Sequence, residues 1–386
     1  MSDGAISGDA GPPAPLVFLY PGDLDAPTGG YVYDRLLIDA LRRAGRTVET
    51  HTLGAGYPDP AADTLRHAEA LLAGLADGSA VMIDGLAYGV LGDVVAPHAG
   101  RLRLIALVHH PLAEEAGLSP DRAQTLRRAE RAALSQARLV VTTSRATADL
   151  VARDYAVPRD RLAVLEPGRA PMPSSTTDRP TGDTMRLLAV GSLIPRKDYP
   201  TLLAALARLG DRRIHLDIAG SAAFDPRHAD HLACEVERLG LADRVTFHGA
   251  LARRDLERLY ASADLFVLTT LYEGYGMAFV EAMAHGLPVV ATGTGAVADT
   301  VPQAAGLGHA PDKEAAGLKH APNNEAAGVV HAPGDVAAVA ASLCRLIDDP
   351  ALRAAMGRAA RAHVVALPDW DAQAARLGAM LEEISR

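Results

Sequence analysis

Lysine is nearly absent from the chain: Lys197, Lys313 and Lys319 are the three in 386 residues, within a formal net charge of −9. Arginine carries the remaining positive charge, and it forms no basic stripe of the kind that neutralises a phosphate backbone, which argues against a nucleic-acid partner. Cysteine is equally scarce. Cys234 and Cys344 stand far apart, in neither Cys-x-x-Cys nor zinc spacing, so the sequence predicts a reducing compartment and two free, buried thiols. No window approaches the ~18 consecutive apolar residues of a membrane span. The opening MSDGAISGDAGPPAP also lacks a basic segment followed by an apolar run, so a cytoplasmic location with no integral membrane segment is expected, peripheral membrane contact staying open.

What is present is ordinary globular composition, 49% hydrophobic and 22% charged, over a length that suits two domains. Short apolar runs alternate with longer amphipathic stretches, the pattern of parallel sheets with crossover helices, so the expected class is α/β with two doubly wound, Rossmann-like domains. Strands are expected at 16–20, 80–83, 104–108 and 139–143, with helices at 34–44, 122–137 and 147–155. Gly45 stops the first helix. A second series has strands at 185–190, 215–218, 245–248, 265–268 and 289–291, with helices at 199–209, 227–239 and 256–261. The expected organisation is a disordered tail at 1–13, a first domain at 14–165, a Pro/Ser/Thr-rich linker at 166–184 and a second domain at 185–352. Helices at 353–386, interrupted at Pro368, follow. Within 306–333, GLGHAPDKEAA, GLKHAPNNEAA and GVVHAP repeat at a period of eleven and bring His309, His320 and His331 into register. Each copy carries Gly and Pro, which prevent one helix from stacking three imidazoles, so a lengthened surface loop is expected rather than a metal site.

The densest chemistry lies in 265–292, LFVLTTLYEGYGMAFVEAMAHGLPVVAT. A strand ending at Thr269, a loop through Glu273, Gly274, Tyr275 and Gly276, and a helix from Met277 carrying Glu281 would aim backbone N–H groups and a helix N-terminus at a cleft, suiting a pyrophosphate or sugar hydroxyls. The same glutamates would also fit a solvated loop charge and a helix-end charge. Asp23 and Asp25 form an Asp-x-Asp of the kind that binds a divalent cation on a diphosphate; the expectation here is no catalytic metal.

The pair Glu273 and Glu281 around a Gly-aromatic-Gly turn, followed by EAMAHGLPVVAT, resembles the donor-site signature of the retaining family 4 glycosyltransferases, which have the GT-B fold. PTGGYVYDRLL, VHHPL, VGSLIPRKDYPTLL, VTFHGAL and ADLFVL occur in the expected order, and the resemblance spans about residues 14–370. It implies that Glu281 binds the nucleotide ribose, that Glu273 faces the transferred sugar, and that the backbone of Gly274, Tyr275, Gly276 and Met277 holds the remaining hydroxyls. Arg196 and Lys197 match the basic pair that neutralises a diphosphate leaving group. Ser192 stands where many members carry arginine. On the acceptor side the resemblance implies a glycine loop at Gly29 and Gly30 beside Tyr31, and a histidine near the sugar at His109, with His110 as the alternative. Gly249, Leu251 and Arg253 would border the base, and Trp370 would begin a last helix that packs on the first domain.

The function implied is retaining transfer of a hexose or N-acetylhexosamine from a nucleoside diphosphate sugar, a co-substrate rather than a cofactor, to a glycan or small-molecule hydroxyl. A sugar-nucleotide epimerase and a non-catalytic scaffold on the same fold are the other readings.

Overall fold

A computed structural model describes residues 15–173, 183–303 and 326–385. The tail at 1–13, residues 304–325 of the repeat region with His309 and His320, and residues 174–182 of the Pro/Ser/Thr-rich stretch lie outside these residues. Among those described, two six-stranded sheets form, and their strands pair in parallel. Strands β1 (Leu16–Tyr20), β2 (Val48–Thr52), β3 (Ala80–Asp84), β4 (Arg103–Val108), β5 (Leu139–Thr142) and β6 (Leu162–Val164) build the first, in the order β2-β1-β3-β4-β5-β6. Strands β7 (Met185–Val190), β8 (Ile214–Ala219), β9 (Val245–Gly249), β10 (Leu265–Glu273), β11 (Val289–Gly295) and β12 (Gly328–His331) build the second, in the order β12-β11-β10-β7-β8-β9. The order reverses between β1 and β3 in one sheet and between β7 and β10 in the other. Such switch points leave a crevice at the carboxyl ends of the strands, where doubly wound folds bind ligands.

The strands are buried because their side chains alternate between two apolar layers. Leu16 and Phe18 of β1 join one core while Val17 and Leu19 join the other, each covered by helices. The longer helices are α1 (Gly29–Arg43), α2 (Ala62–Gly74), α3 (Pro120–Ser135), α4 (Arg145–Asp154), α5 (Tyr199–Ala207), α6 (Pro226–Arg238), α7 (Arg253–Ser262), α8 (Met277–Ala284), α9 (Val336–Asp348), α10 (Pro350–Ala366) and α11 (Trp370–Glu383). Helix α10 stays with the second sheet through Met356, Ala360 and Val364. Helix α11 instead sends Trp370, Ala374, Leu377 and Leu381 into the core of the first sheet, with Tyr33 edge-on to Trp370 at 5.1 Å. No helix among the described residues is long and apolar enough to cross a membrane.

Four expectations are corrected. Gly29 and Gly30 form the first turn of α1 rather than a loop, because the Thr28 hydroxyl accepts the Tyr31 N–H at 3.3 Å and starts the helix there. Strand β10 runs past Thr269 to Glu273, where Tyr272 and Glu273 pair with Thr294 and Gly295 after a register shift. The third repeat is not a surface loop: its valines form β12, and His331 is buried 2.9 Å from the Ser342 hydroxyl. Cys234 is exposed and Cys344 half-buried.

Candidate active site

Both switch points open onto one cleft. On the second sheet, Glu273 ends β10 beside the loop that follows β7. Lys197 Nζ lies 2.6 Å from its Oε1 and Arg196 Nη1 3.5 Å from its Oε2, while Arg196 also donates to the Tyr272 carbonyl at 2.9 Å. Burial pushes the Glu273 carboxyl up, but Lys197 and then Arg196 pull harder, and the net result is a carboxylate held below its usual range. Burial lowers Lys197 in turn, with Glu273 opposing. The cluster therefore holds two cations and one anion at the switch point of the second sheet. Ser192 follows Gly191 in the same loop, and its carbonyl accepts the Ile194 N–H at 2.9 Å.

The turn after β10 is set by two glycines. Gly276 has φ +92°, a left-handed conformation that also lets Phe279 close beneath it. A Cβ on Gly274 would run into the His109 carbonyl oxygen of the other sheet, so only glycine allows this approach. Thr147 of α4 lies 3.4 Å from the Gly274 carbonyl. Tyr275 turns its carbonyl to the Thr300 hydroxyl at 2.6 Å, and Met277 opens α8.

One turn further on, Glu281 is held by the Tyr260 hydroxyl at 3.0 Å, with Arg253 Nη1 at 3.9 Å. Burial raises its pKa against the pull of Arg253 and of the Tyr260 hydrogen bond. These three side chains border a cavity of about 550 Å³ that is also lined by Ala170, Pro171, Met172 and Pro173. Gly249 ends β9 with its carbonyl taken by the Gly220 N–H at 2.9 Å; Leu251 lies two residues on, in the connection to α7. Of the expected base-side trio, only Arg253 lines this cavity.

The first sheet contributes the opposite wall. His109 follows β4, and its Nε2 lies 2.8 Å from Asp34 Oδ1 and 3.5 Å from Asp84 Oδ2. Tyr31 donates to the Pro21 carbonyl at 2.7 Å. His110 packs edge-on to Tyr272 at 4.9 Å, and burial, then the Arg196 charge, lower its pKa to about 3. Glu115 reaches across the cleft to Arg196 Nε at 3.3 Å. The Asp34, Asp84 and His109 ligand atoms sit within 4.8 Å of one another, a spacing a cation could bridge. A neutral ring with its proton on Nε2, toward Asp34, would leave that nitrogen no lone pair for a metal. Asp23 and Asp25 close a local turn, the Asp25 N–H bonding Asp23 Oδ1 at 2.9 Å.

Asp34, Asp84 and Glu115 escaped the sequence reading. Two of them carried a signal. Asp84 is a charged residue ending an otherwise apolar strand, and Asp34 sits on the buried face of an amphipathic helix with Leu37 and Ile38.

Two parallel doubly wound sheets that face each other across such a cleft define the GT-B class of sugar transferases. Residues 179–363 match the family described as glycosyl transferases group 1, and residues 32–170 match glycosyltransferase family 4; the chain belongs to this family. It is 28% identical over 347 residues to the MMP alpha-(1->4)-mannosyltransferase of Mycolicibacterium hassiacum, covering 86% of this chain and 77% of that protein. Several other curated relatives are matched over only 37–52% of their own length. Sucrose-phosphate synthase from Thermosynechococcus elongatus has a similar fold, with TM-score 0.77, 22% identity, and 96% and 99% of the two chains covered. So does the Anabaena protein HepE solved with UDP-glucose, with TM-score 0.73, 20% identity, and 95% and 99% covered.

Proposed function

We propose that this chain is a retaining glycosyltransferase that moves a hexose or N-acetylhexosamine from a nucleoside diphosphate sugar to an acceptor hydroxyl of a glycan or small molecule, without a catalytic metal. The observation that carries this reading is the Arg196, Lys197 and Glu273 cluster at one switch point, facing His109 at the other. Arg196 and Lys197 take the diphosphate, whose charge grows as the bond to the sugar breaks, and cations already in place need little reorganisation at that moment. Glu273 and the backbone of Gly274 to Met277 face the sugar. Glu281 receives the ribose, and Arg253, Gly249 and Leu251 border the base. Ser192 is on the diphosphate side of the same loop. Gly29, Gly30, Tyr31 and His110 line the acceptor side with His109.

In the reaction the bond from the anomeric carbon to the diphosphate oxygen breaks while the acceptor oxygen bonds to the same face. The acceptor proton passes to a phosphate oxygen of the leaving group, so configuration is kept with no covalent enzyme intermediate. The mannosyl transfer carried out by the Mycolicibacterium relative supports a hexosyl donor, and the nucleotide sugar held by the structural neighbour supports this class of co-substrate.

The test is a thermal-shift screen with UDP, GDP, ADP and dTDP, followed by hydrolysis of the matching sugar nucleotides with and without EDTA. A nucleotide at about 100 times its Kd stabilises the folded chain by about 2.7 kcal/mol. Stabilisation by one nucleotide with EDTA-insensitive sugar release is expected. No shift with any of the four would overturn the proposal, and release abolished by EDTA would overturn its metal-free form.

A further inference from the structure

We propose that Asp34 and Asp84 are positioning residues that hold the His109 imidazole with its proton on Nε2, so that Nδ1 is presented as the acceptor for one hydroxyl of the transferred sugar. This rests on the reading above that His109 borders that sugar. It adds a requirement on the donor, which must carry a free hydroxyl at that place.

Three separate elements bring the cluster together at the switch point of the first sheet. Asp84 ends β3, and its Oδ1 is fixed by the Leu86 N–H at 2.8 Å, which leaves Oδ2 toward the imidazole. Asp34 comes from the inner face of α1 and bonds Nε2 at 2.8 Å. The Tyr33 ring packs edge-on against the imidazole at 4.9 Å and limits its rotation. Asp34 and Asp84 are 0% and 3% exposed, so neither meets a substrate and their influence passes through the imidazole.

An ionised carboxylate accepts hydrogen bonds and donates none, so its presence at Nε2 selects the Nε2–H tautomer and leaves the Nδ1 lone pair outward. The groups packed around His109 are Gly30, Tyr33 and Asp34 from α1, Asp84 from β3, the Thr143 hydroxyl 3.5 Å from its carbonyl, and the Gly274 backbone. Asp34 and Asp84 are the charges that act on the ring: burial opposes its protonation, and the two carboxylates outweigh burial and raise it. Burial and the neighbouring Asp34 also lift Asp84 to about 7. Below the His109 transition Nδ1 gains a proton and can no longer accept, so donor use falls toward acid.

The experiment uses the full chain labelled with ¹⁵N-histidine and two-bond ¹H–¹⁵N correlation, the His109 signal being assigned by its loss in His109→Gln. At pH 8 the expected pattern is a protonated Nε2 and a bare Nδ1. In Asp34→Asn and in Asp84→Asn the His109 transition is expected to fall by about one pH unit, because each variant removes an anion that favours the imidazolium. The acid limb of kcat/KM for sugar-nucleotide hydrolysis should move with it, a shift that a merely structural role would not produce. An Nδ1–H tautomer in the wild type, or a transition unmoved in both variants, would overturn the proposal. So would displacement of the His109 resonances by micromolar Mg²⁺ or Mn²⁺. If one variant fails to fold, the wild-type tautomer and the other variant decide. The spectrum needs no substrate, so absence of any transfer activity would sink the functional reading and with it the sugar contact, while the tautomer and its control by Asp34 and Asp84 would stand or fall on the spectrum alone.

Discussion

At the scale of single residues, the Lys197 and Glu273 pair shows how a carboxylate can be kept ionised in a dry site. Glu273 is 6% exposed, and its charge is tolerated because Lys197 sits 2.6 Å away with Arg196 behind it. Lys197→Met leaves that carboxylate buried beside Arg196 alone. We expect a loss of about 3–5 kcal/mol at pH 7, the usual cost of breaking a buried pair from one side. In the wild type the depressed Glu273 pKa contributes stability above the unfolded carboxyl pKa and loses it as pH falls through the folded value. In the variant, burial is left largely unopposed and favours the protonated form, so the deficit should shrink between pH 7 and pH 5. Urea unfolding at the two pH values measures it, and an equal deficit at both would show that the pair does not set the cost. Both residues were legible in the sequence as a resemblance. Asp34 and Asp84 were not, since nothing in the spacing of residues 34, 84 and 109 says that they meet.

Elements rather than residues decide where the first sheet's wall of the cleft stands. The segment that follows β4 carries His109, His110 and Glu115, and it is pinned from beneath by Glu130 of α3, whose carboxylate accepts the Leu112 N–H at 2.9 Å. Glu130 is 1% exposed, and burial raises its carboxyl to about 8 despite that hydrogen bond. A folded pKa above the unfolded one means that the native state binds more protons, so this group's contribution is complete below about pH 4.5 and is lost as pH rises through 8. Glu130→Gln keeps the shape and an acceptor oxygen while removing the titration. The variant should therefore lose less stability than the wild type between pH 6 and pH 9, as followed by thermal unfolding; parallel curves would show that Glu130 is ionised in both states. Sequence reasoning found the interior strands, because β1, β3, β4 and β5 are unbroken apolar runs buried on both faces. It passed over β2, β6 and β12. The first two are half-exposed edge strands: VETHT has no apolar run to mark it, LAV is only three residues long, and β12 was hidden in a repeat.

For the molecule as a whole, the decisive contacts cross the cleft. Glu115 occupies Arg196 at 3.3 Å in the very place proposed for a diphosphate, so an incoming nucleotide must compete with it. Glu115 is about two-fifths exposed, which keeps the ion pair weak, at about 1 kcal/mol or less. Glu115→Gln should tighten binding of the stabilising nucleotide by up to about fivefold at low salt, with the gain fading as salt rises. Isothermal titration of both proteins at low and high salt provides the measurement; unchanged affinity at low salt would mean that the nucleotide does not reach Arg196.

By itself the sequence determined the α/β class, the interior strands and the family, and it singled out Glu273, Glu281, Arg196 and Lys197. These depend on local periodicity and on residues close together in the chain, such as Glu273 with Glu281 and Arg196 with Lys197. Tertiary structure alone decided that Gly274 touches His109, that Glu115 faces Arg196, and that Asp34 and Asp84 meet behind the imidazole. It also decided that α11 closes the core of the first sheet. Each of these is a meeting of residues tens or hundreds of positions apart. Such meetings are set by strand order, by which helix faces are left apolar, and by the fit of one sheet's loops against the other's, none of which has a local period to read.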